Sequence, residues 1–391
     1  MTTSVQTLPA ETPRLPFLAS LVWLGLLGAI VANIQPMFLG GLATAFNLNA
    51  QQLGFLGGAE LAGSCLASLC APLWFTRVNL RRVAMFALLV AVCGNLMTSW
   101  TANYLPLLCL RFVTAFLGAG VIYSMALGLI GQVKNPDRLI AIAIILQVLS
   151  LALGMATIPL LLEHWQLPGM MVTLSLLFAT GFLLLPFIPQ QAPPQENDGI
   201  VPVATGGEWF LPVALLLSLV LFSIGLGAIW AFLERMGASA GFAMADIGKA
   251  LAVSGFIGGL GALTAAVLGQ RIGRLIPLTV GIIGQLGVCW LLSDRTSWPV
   301  YITIVALFNF FWNLVLPFLM GAIGTADKTG RFMVLIPAAQ AGGYAIGPAL
   351  AGLFIVGDNY SGASQVSLAA FTLCLVIVAP LIMRLNKVEK T

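Results

Sequence analysis

The stretch LGLIGQVKNPDR at 127–138 returns 193 residues later as MGAIGTADKTGR at 320–331. Each copy runs from small and apolar residues into a short loop that ends on arginine. Other pairs keep nearly the same spacing. Gln147 and Gln340, and Gly154 and Gly347, are also 193 apart. Arg77 and Arg271 are 194 apart, and GAIVAN at 28–33 lies 199 residues before GAIWAF at 227–232. One such match means little in glycine-rich apolar sequence. Their common order and spacing point to a duplication, with both copies in the same orientation.

Composition says what is duplicated. Of 391 residues, 60% are hydrophobic and 8% charged, against roughly 25% charged in a soluble domain. Such a chain cannot cover a water-facing surface. That excludes a soluble enzyme, a nucleic-acid binder and a disordered protein. A helix needs about 20 apolar residues to cross the hydrocarbon core. Twelve segments qualify, at 17–45, 52–75, 82–101, 104–131, 139–162, 168–188, 209–235, 246–268, 275–293, 299–324, 332–356 and 364–384. The expected fold is an all-α polytopic membrane protein with twelve transmembrane helices in two pseudo-symmetric six-helix bundles, 17–188 and 209–384. A proline-rich, acidic linker at 189–208 joins them. Short tails, 1–16 and 385–391, flank them, and the first lacks the layout of a cleaved signal peptide.

Charge orients the chain. With both termini on one face, that face holds Arg14, Arg77, Arg81, Arg82, Lys134, Arg138, Arg271, Arg274, Lys328, Arg331, Arg384, Lys387 and Lys390. The other face holds Arg235, Lys249 and Arg295, and Arg111 falls inside a span. The positive-inside rule then places both termini in the cytoplasm, and a multi-pass protein of the cell inner membrane is expected. The six cysteines show no metal-ligand spacing and His164 is the single histidine, so no metal or cofactor is expected. No G-x-x-x-x-G-K-[ST] loop occurs, which argues against ATP hydrolysis.

Three local motifs carry a resemblance. The loop between spans 8 and 9 reads GQRIGR at 269–274, with Gly269, Arg271, Gly273 and Arg274. Its counterpart between spans 2 and 3, APLWFTRVNLRR at 71–82, has Arg77, Arg81 and Arg82. Span 4 reads LRFVTAFLGAG at 110–120, with Arg111 near its start. In these features the chain resembles the major facilitator superfamily, over essentially its whole length. The two loops are similar to the signature G-x-x-x-D-R-x-G-R-R. The first is shortened and lacks the aspartate; the second has Thr76 in place of the acid and Asn79 in place of a glycine. The resemblance implies a single-chain transporter, expected to be monomeric. Spans 1, 4, 7 and 10 would line its central cavity, and spans 2, 5, 8 and 11 would form the interface between halves. Without the loop acid, the family's charge-relay latch is not reproduced. Helix C-termini or lipid phosphates are the alternative partners for these arginines. GYAIGPALAG at 343–352 has the form of an antiporter pattern, but it falls in span 11 rather than span 5 and assigns no export.

Ionisable groups inside spans cost about 2.5–3.5 kcal/mol each on insertion scales and need a reason. Glu60 in span 2 and Arg111 in span 4 both lie roughly 10–12 Å below the outer surface, at 1.5 Å per residue. An ion pair between them is allowed. Glu60 is then a protonatable carboxylate, with Arg111 biasing its proton affinity or binding an anionic solute; the alternative is a static pair that pins helix packing. Glu234, beside Arg235 at the outer end of span 7, is the second proton-coupling candidate. Adjacent helical residues point about 100° apart, so only one of that pair is expected to face the cavity. Substrate-cavity candidates are Asn33 and Gln35, ahead of a helix-breaking Pro36; Thr114, Tyr123 and Ser124; Trp230; Asn309, Trp312 and Asn313; and Tyr344. Gln147 and Gln340, at equivalent depths in the two halves, either meet at the interface or bind solute.

The expected function is secondary active transport of a small organic solute, an organic anion or an amphipathic aromatic compound, by alternating access and proton symport. Its partners are that solute, protons and membrane lipids. A proton-coupled drug or metabolite efflux antiporter is the alternative. A channel would show a pore loop or a ring of carboxylates, and a membrane-embedded enzyme would show clustered acids or histidines at one interface.

Overall fold

A computed structural model describes residues 15–133, 136–192, 209–269, 271–292, 297–327, 332–357 and 359–388. Arg14, Lys134, Arg295, Lys328, Arg331 and Lys390 lie outside the described residues, as do most of the expected linker (193–208) and both chain ends. The described residues are almost entirely helical, with one isolated bridge between Val356 and Asn359.

The helices follow the twelve expected spans, and nine among the described residues are long and apolar enough to cross a membrane. Span 1 is two helices, Leu15–Asn33 and Gln35–Phe46. Spans 2 and 3 are Ala50–Trp74 and Leu80–Thr98. Span 4 is Tyr104–Val113, a π-helical turn Thr114–Ala119, and Gly120–Ile130. Spans 5 and 6 share one run of helical hydrogen bonding, Pro136–Ala179, which breaks at Gln166 (φ 54°, ψ −156°) and ends in the 3₁₀ segment Thr180–Phe187. Span 7 is Phe210–Trp230 followed by Leu233–Ser239, so it runs four residues past its expected end at 235. Spans 8 to 12 are Met244–Leu268, Leu275–Leu291, Trp298–Ala326, Ile336–Phe354 and Ser361–Val388. Two helix starts are capped by asparagine side chains. Asn49 and Gln52 form a reciprocal capping box ahead of span 2, and Asn79 accepts from the Arg82 amide ahead of span 3. Many large apolar side chains are exposed, among them Leu73, Leu153, Leu183 and Val376. That surface suits lipid rather than water.

Within the first half, span 1 packs on spans 4 and 5, and span 2 on span 4; within the second, span 7 packs on spans 11 and 12, and span 8 on span 10. The halves join where span 2 meets span 11 and span 5 meets span 8. These two contacts are copies of one another. Gly54 of span 2 lies against the carbonyl of Pro348, and Gly248 of span 8 lies against the carbonyl of Met155; a Cβ at either glycine would collide with that oxygen. The glycines are 194 apart and their carbonyl partners 193 apart. The duplication read in sequence is therefore a pseudo-twofold contact in space. Small residues here let backbones approach, as they do in membrane helix pairs generally. Further cross-half contacts join Gln35–Phe46 to Leu233–Ser239, and the molecule is closed on the face away from both termini.

Candidate functional site

The break in span 1 begins the site. Pro36 has no N–H, so the carbonyl four residues back, that of Ala32, has no helical donor. Ile34 takes φ −97°, ψ 11° and the helix restarts. Ala32 is exposed within the fold, and its carbonyl accepts from Trp230 Nε1 of span 7 at 3.3 Å. Beside the break a small pocket runs between spans 1 and 2, lined by Ala32, Gln35, Phe38, Gly57 and Glu60. Gln35 is buried and its Nε2 donates to the Gly57 carbonyl at 3.5 Å. Asn33 Nδ2 reaches Ser150 Oγ of span 5 at 3.4 Å.

Behind the pocket the expected ion pair is present. Arg111 Nε donates to Glu60 Oε2 at 3.0 Å, and Nη2 donates to Oε1. The other edge of the guanidinium is also taken: Nη1 donates to Asn95 Oδ1 at 2.9 Å and to Thr98 Oγ1 at 3.3 Å. The Phe38 ring covers its face, 4.9 Å from ring centroid to the guanidinium carbon. Arg111 is completely buried and Glu60 nearly so. A cation so enclosed has neither edge left for a solute anion. Asn95 and Thr98 were not legible as its partners, because a neutral amide and hydroxyl in span 3 carry no sequence signal of their own.

A second cluster faces this one from the other half. Trp230 stacks edge-on against Trp312 (centroids 5.6 Å apart, 84° between planes). Trp312 also touches Phe308 at 5.7 Å and Tyr344 at 5.6 Å. Gln340 Nε2 donates to the Tyr344 hydroxyl at 2.9 Å. Trp312, Asn313, Gln340 and Tyr344 are half-buried, as are Asn33, Tyr123 and Gln147 in the first half. No hydrogen bond joins Gln147 to Gln340; the Gln147 carbonyl accepts from Ser150 Oγ at 2.8 Å. Tyr123 packs on Gly28 of span 1.

Other candidates sit in helix contacts. Asn309 and Asn313 share a face, as their spacing requires, and that face meets Gly258 of span 8. Asn309 Nδ2 donates to Ser254 Oγ at 3.0 Å, and Asn313 Nδ2 donates to the Asn309 carbonyl at 2.9 Å. Buried Gln285 of span 9 joins them by donating to the Phe308 carbonyl at 2.9 Å. Thr114 and Ser124 are buried and return their hydroxyls to carbonyls one turn back, Leu110 and Gly120. Ser124 also bonds Ser68 of span 2 at 2.9 Å.

At the closed face the side chains of Glu234 and Arg235 meet. Arg235 Nε and Nη2 donate to the Glu234 carboxylate at 2.6 and 3.0 Å. The long guanidinium stem bends back across the 100° between neighbours. Arg235 Nη2 then crosses to the first half, reaching the Gly40 carbonyl at 3.3 Å and Thr44 Oγ1 at 3.1 Å. Glu234 is fully buried against Gly40, where a Cβ would strike its carboxylate.

On the opposite face, Arg81 donates to the carbonyls of Pro186 (2.9 Å) and Ile188 (3.0 Å) at the end of span 6. A helix C-terminus is thus one partner of the acid-free loop, since terminal carbonyls favour a cation. Arg77 and Arg82 are exposed. In the second loop Gly269 and Gly273 have φ of +48° and +68°. Arg271 is exposed, and buried Arg274 lies beside Gly321 of span 10.

A family model described as Major Facilitator Superfamily matches residues 21–325. No curated protein matches the chain. Among solved structures, a bacterial homolog of the human lysosomal transporter Spinster, inward-facing and unoccupied, is 14% identical with a TM-score of 0.72, covering 95% of this chain and 96% of that one. The nucleoside transporter NupG is 13% identical with a TM-score of 0.68 over 95% and 99%. The xylose transporter XylE from E. coli, partially occluded and inward open, is 12% identical with a TM-score of 0.71 over 92% and 96%.

Proposed function

Because the chain belongs to the Major Facilitator Superfamily, we propose that this transporter moves a neutral, amphipathic aromatic solute by alternating access, coupled to proton symport. The carrying observation is the Trp230–Trp312–Tyr344 cluster with Gln340 at its edge. Aromatic faces supply apolar area and quadrupole contacts to a ring. The amide and hydroxyls beside them fix its orientation, which is the usual composition of a solute site. The organic-anion reading rested on Arg111, whose guanidinium is committed to Glu60, Asn95 and Thr98. Glu60 lines the pocket that begins at the broken span 1, and this supports it as the proton carrier. We place the protein in the inner membrane, with both termini cytoplasmic, from the charge bias. The two halves, 17–188 and 209–384, are read as rocking bodies about the span 2–11 and 5–8 contacts.

The test is a thermal-shift screen of purified protein with neutral aromatic glycosides and nucleosides against aliphatic and aromatic carboxylates. A bound solute stabilises the fold by RT ln(1 + [L]/Kd). Stabilisation by the neutral aromatics that Trp312→Ala abolishes is expected. Stabilisation by carboxylates alone would reverse the substrate reading.

A further inference from the structure

The Ala32 carbonyl is orphaned by Pro36 within its own helix and held by a donor from the other half. The indole N–H therefore supplies a cross-half hydrogen bond to a carbonyl that its own helix leaves unmet. Trp230 is 4% exposed and wedged between this carbonyl and Trp312. It is the last residue before the turn at 231–232 where span 7 breaks, and sits three before Leu233 of Leu233–Ser239. Leu233–Ser239 carries the Glu234–Arg235 pair against Gly40 and Thr44. In the alternating-access reading, opening the closed face draws span 7 away from span 1 and takes Trp230 off Ala32.

We propose that Trp230 is a positioning residue for transport, and that its bond to the Pro36-orphaned carbonyl is the catch that holds this face shut. The inference rests on the alternating-access reading. Pro36 creates the vacancy on the backbone, Trp230 fills it across the two halves, and Trp312 connects the catch to the proposed solute cluster. Opening the face leaves a carbonyl that no helical N–H can meet, which biases the empty protein toward closure. Restoring an N–H at position 36 removes that bias, because Ala32 is then satisfied in either state. Removing the indole N–H has the same sign, because the carbonyl is then unmet even when the face is shut.

The test is hydrogen–deuterium exchange of the solute-free protein in detergent, followed on peptides covering 37–50 and 231–243. Pro36→Ala and Trp230→Phe should each raise exchange in both closed-face segments by about tenfold, the effect of removing one hydrogen bond worth roughly 1.4 kcal/mol. The double variant should match the single ones, since both act on one bond. Trp230→His, which keeps a ring N–H, should return part of the protection. Unchanged exchange in either single variant, or effects that add in the double, would overturn the proposal. Loss of protection throughout the core of spans 3 and 9 would mark a folding defect; Trp230→His against Trp230→Phe then decides, and equal closed-face exchange in those two rejects the catch. No solute enters the measurement, so its failure leaves the substrate reading standing, and a failed solute screen leaves the catch intact.

Discussion

Replacing Glu60 with glutamine keeps the shape of the carboxylate and removes its charge. The structure fixes the consequence, because Arg111 is wholly buried and donates two hydrogen bonds to that carboxylate. Removing one member of a buried pair costs about 3–5 kcal/mol, mostly the burden of the uncompensated charge left behind. At about 1.4 kcal/mol per decade this is roughly two to three and a half decades in the folding equilibrium. Arg111→Gln in the same chain removes that charge and still offers an amide to Asn95 Oδ1. Glu60→Gln/Arg111→Gln should therefore recover most of the loss. The assay is unfolding of the purified protein by titrating denaturing detergent into mild micelles. Wild-type stability in Glu60→Gln, or a double variant less stable than the single, would refute the reasoning. A transport arm separates structure from coupling. If Glu60 carries the proton, the double variant folds and exchanges solute but no longer accumulates it in a pH gradient. Retained proton-driven accumulation removes Glu60 from the coupling and leaves the pair as a helix tie.

Three further expectations follow from geometry. Gly54→Val and Gly248→Val should each block the close approach to Pro348 and Met155 and cut transport more than tenfold with modest change in solute affinity; equal loss of binding would move the defect to the cavity. Arg235→Gln should loosen the closed face, since the Gly40 and Thr44 contacts depend on its guanidinium, and maleimide labelling of a cysteine placed at Ala243 in a cysteine-free background should accelerate; an unchanged rate would show that the bridge carries no part of the closure. Arg81→Ala should destabilise the fold by about 1 kcal/mol by uncapping span 6, with Arg81→Lys less harmful, as followed by thermal unfolding.

The sequence exposed the parts of this fold that depend on periodicity and charge. Twelve apolar stretches, a basic face and a repeat offset are one-dimensional signals, and the helices follow them to within a few residues. Breaks were legible where a proline explains them, as at Pro36. The turn after Trp230 and the π-helical Thr114–Ala119 have no proline, so neither break carries a sequence signal. Site residues divided along the same line. Glu60 and Arg111 stood out because charge in a span demands a partner. Asn95, Thr98, Gly40 and Thr44 are ordinary membrane-helix residues whose roles exist only once a guanidinium is placed beside them.

The repeat offset yields a comparison that neither half offers alone. Adding 194 to Glu60 gives Ser254, and Ser254 is the partner of Asn309 in span 10, as Glu60 is the partner of Arg111 in span 4. Span 3 adds Asn95 to the first contact by accepting from Arg111, whereas Gln285 of span 9 donates to the neighbouring Phe308 carbonyl. The span 2–4 contact is thus built around an ion pair and its span 8–10 counterpart around a neutral hydrogen bond. Neutral groups suffice to hold such a junction, so helix packing alone does not require the charges at Glu60 and Arg111. A buried ion pair is weak evidence for stability, and in the proposed reading this one serves the proton. In that reading the two halves divide the work: the first holds the Glu60–Arg111 pair, the second presents Trp312, Tyr344 and Gln340 to the solute, and the Trp230–Ala32 bond lies between them.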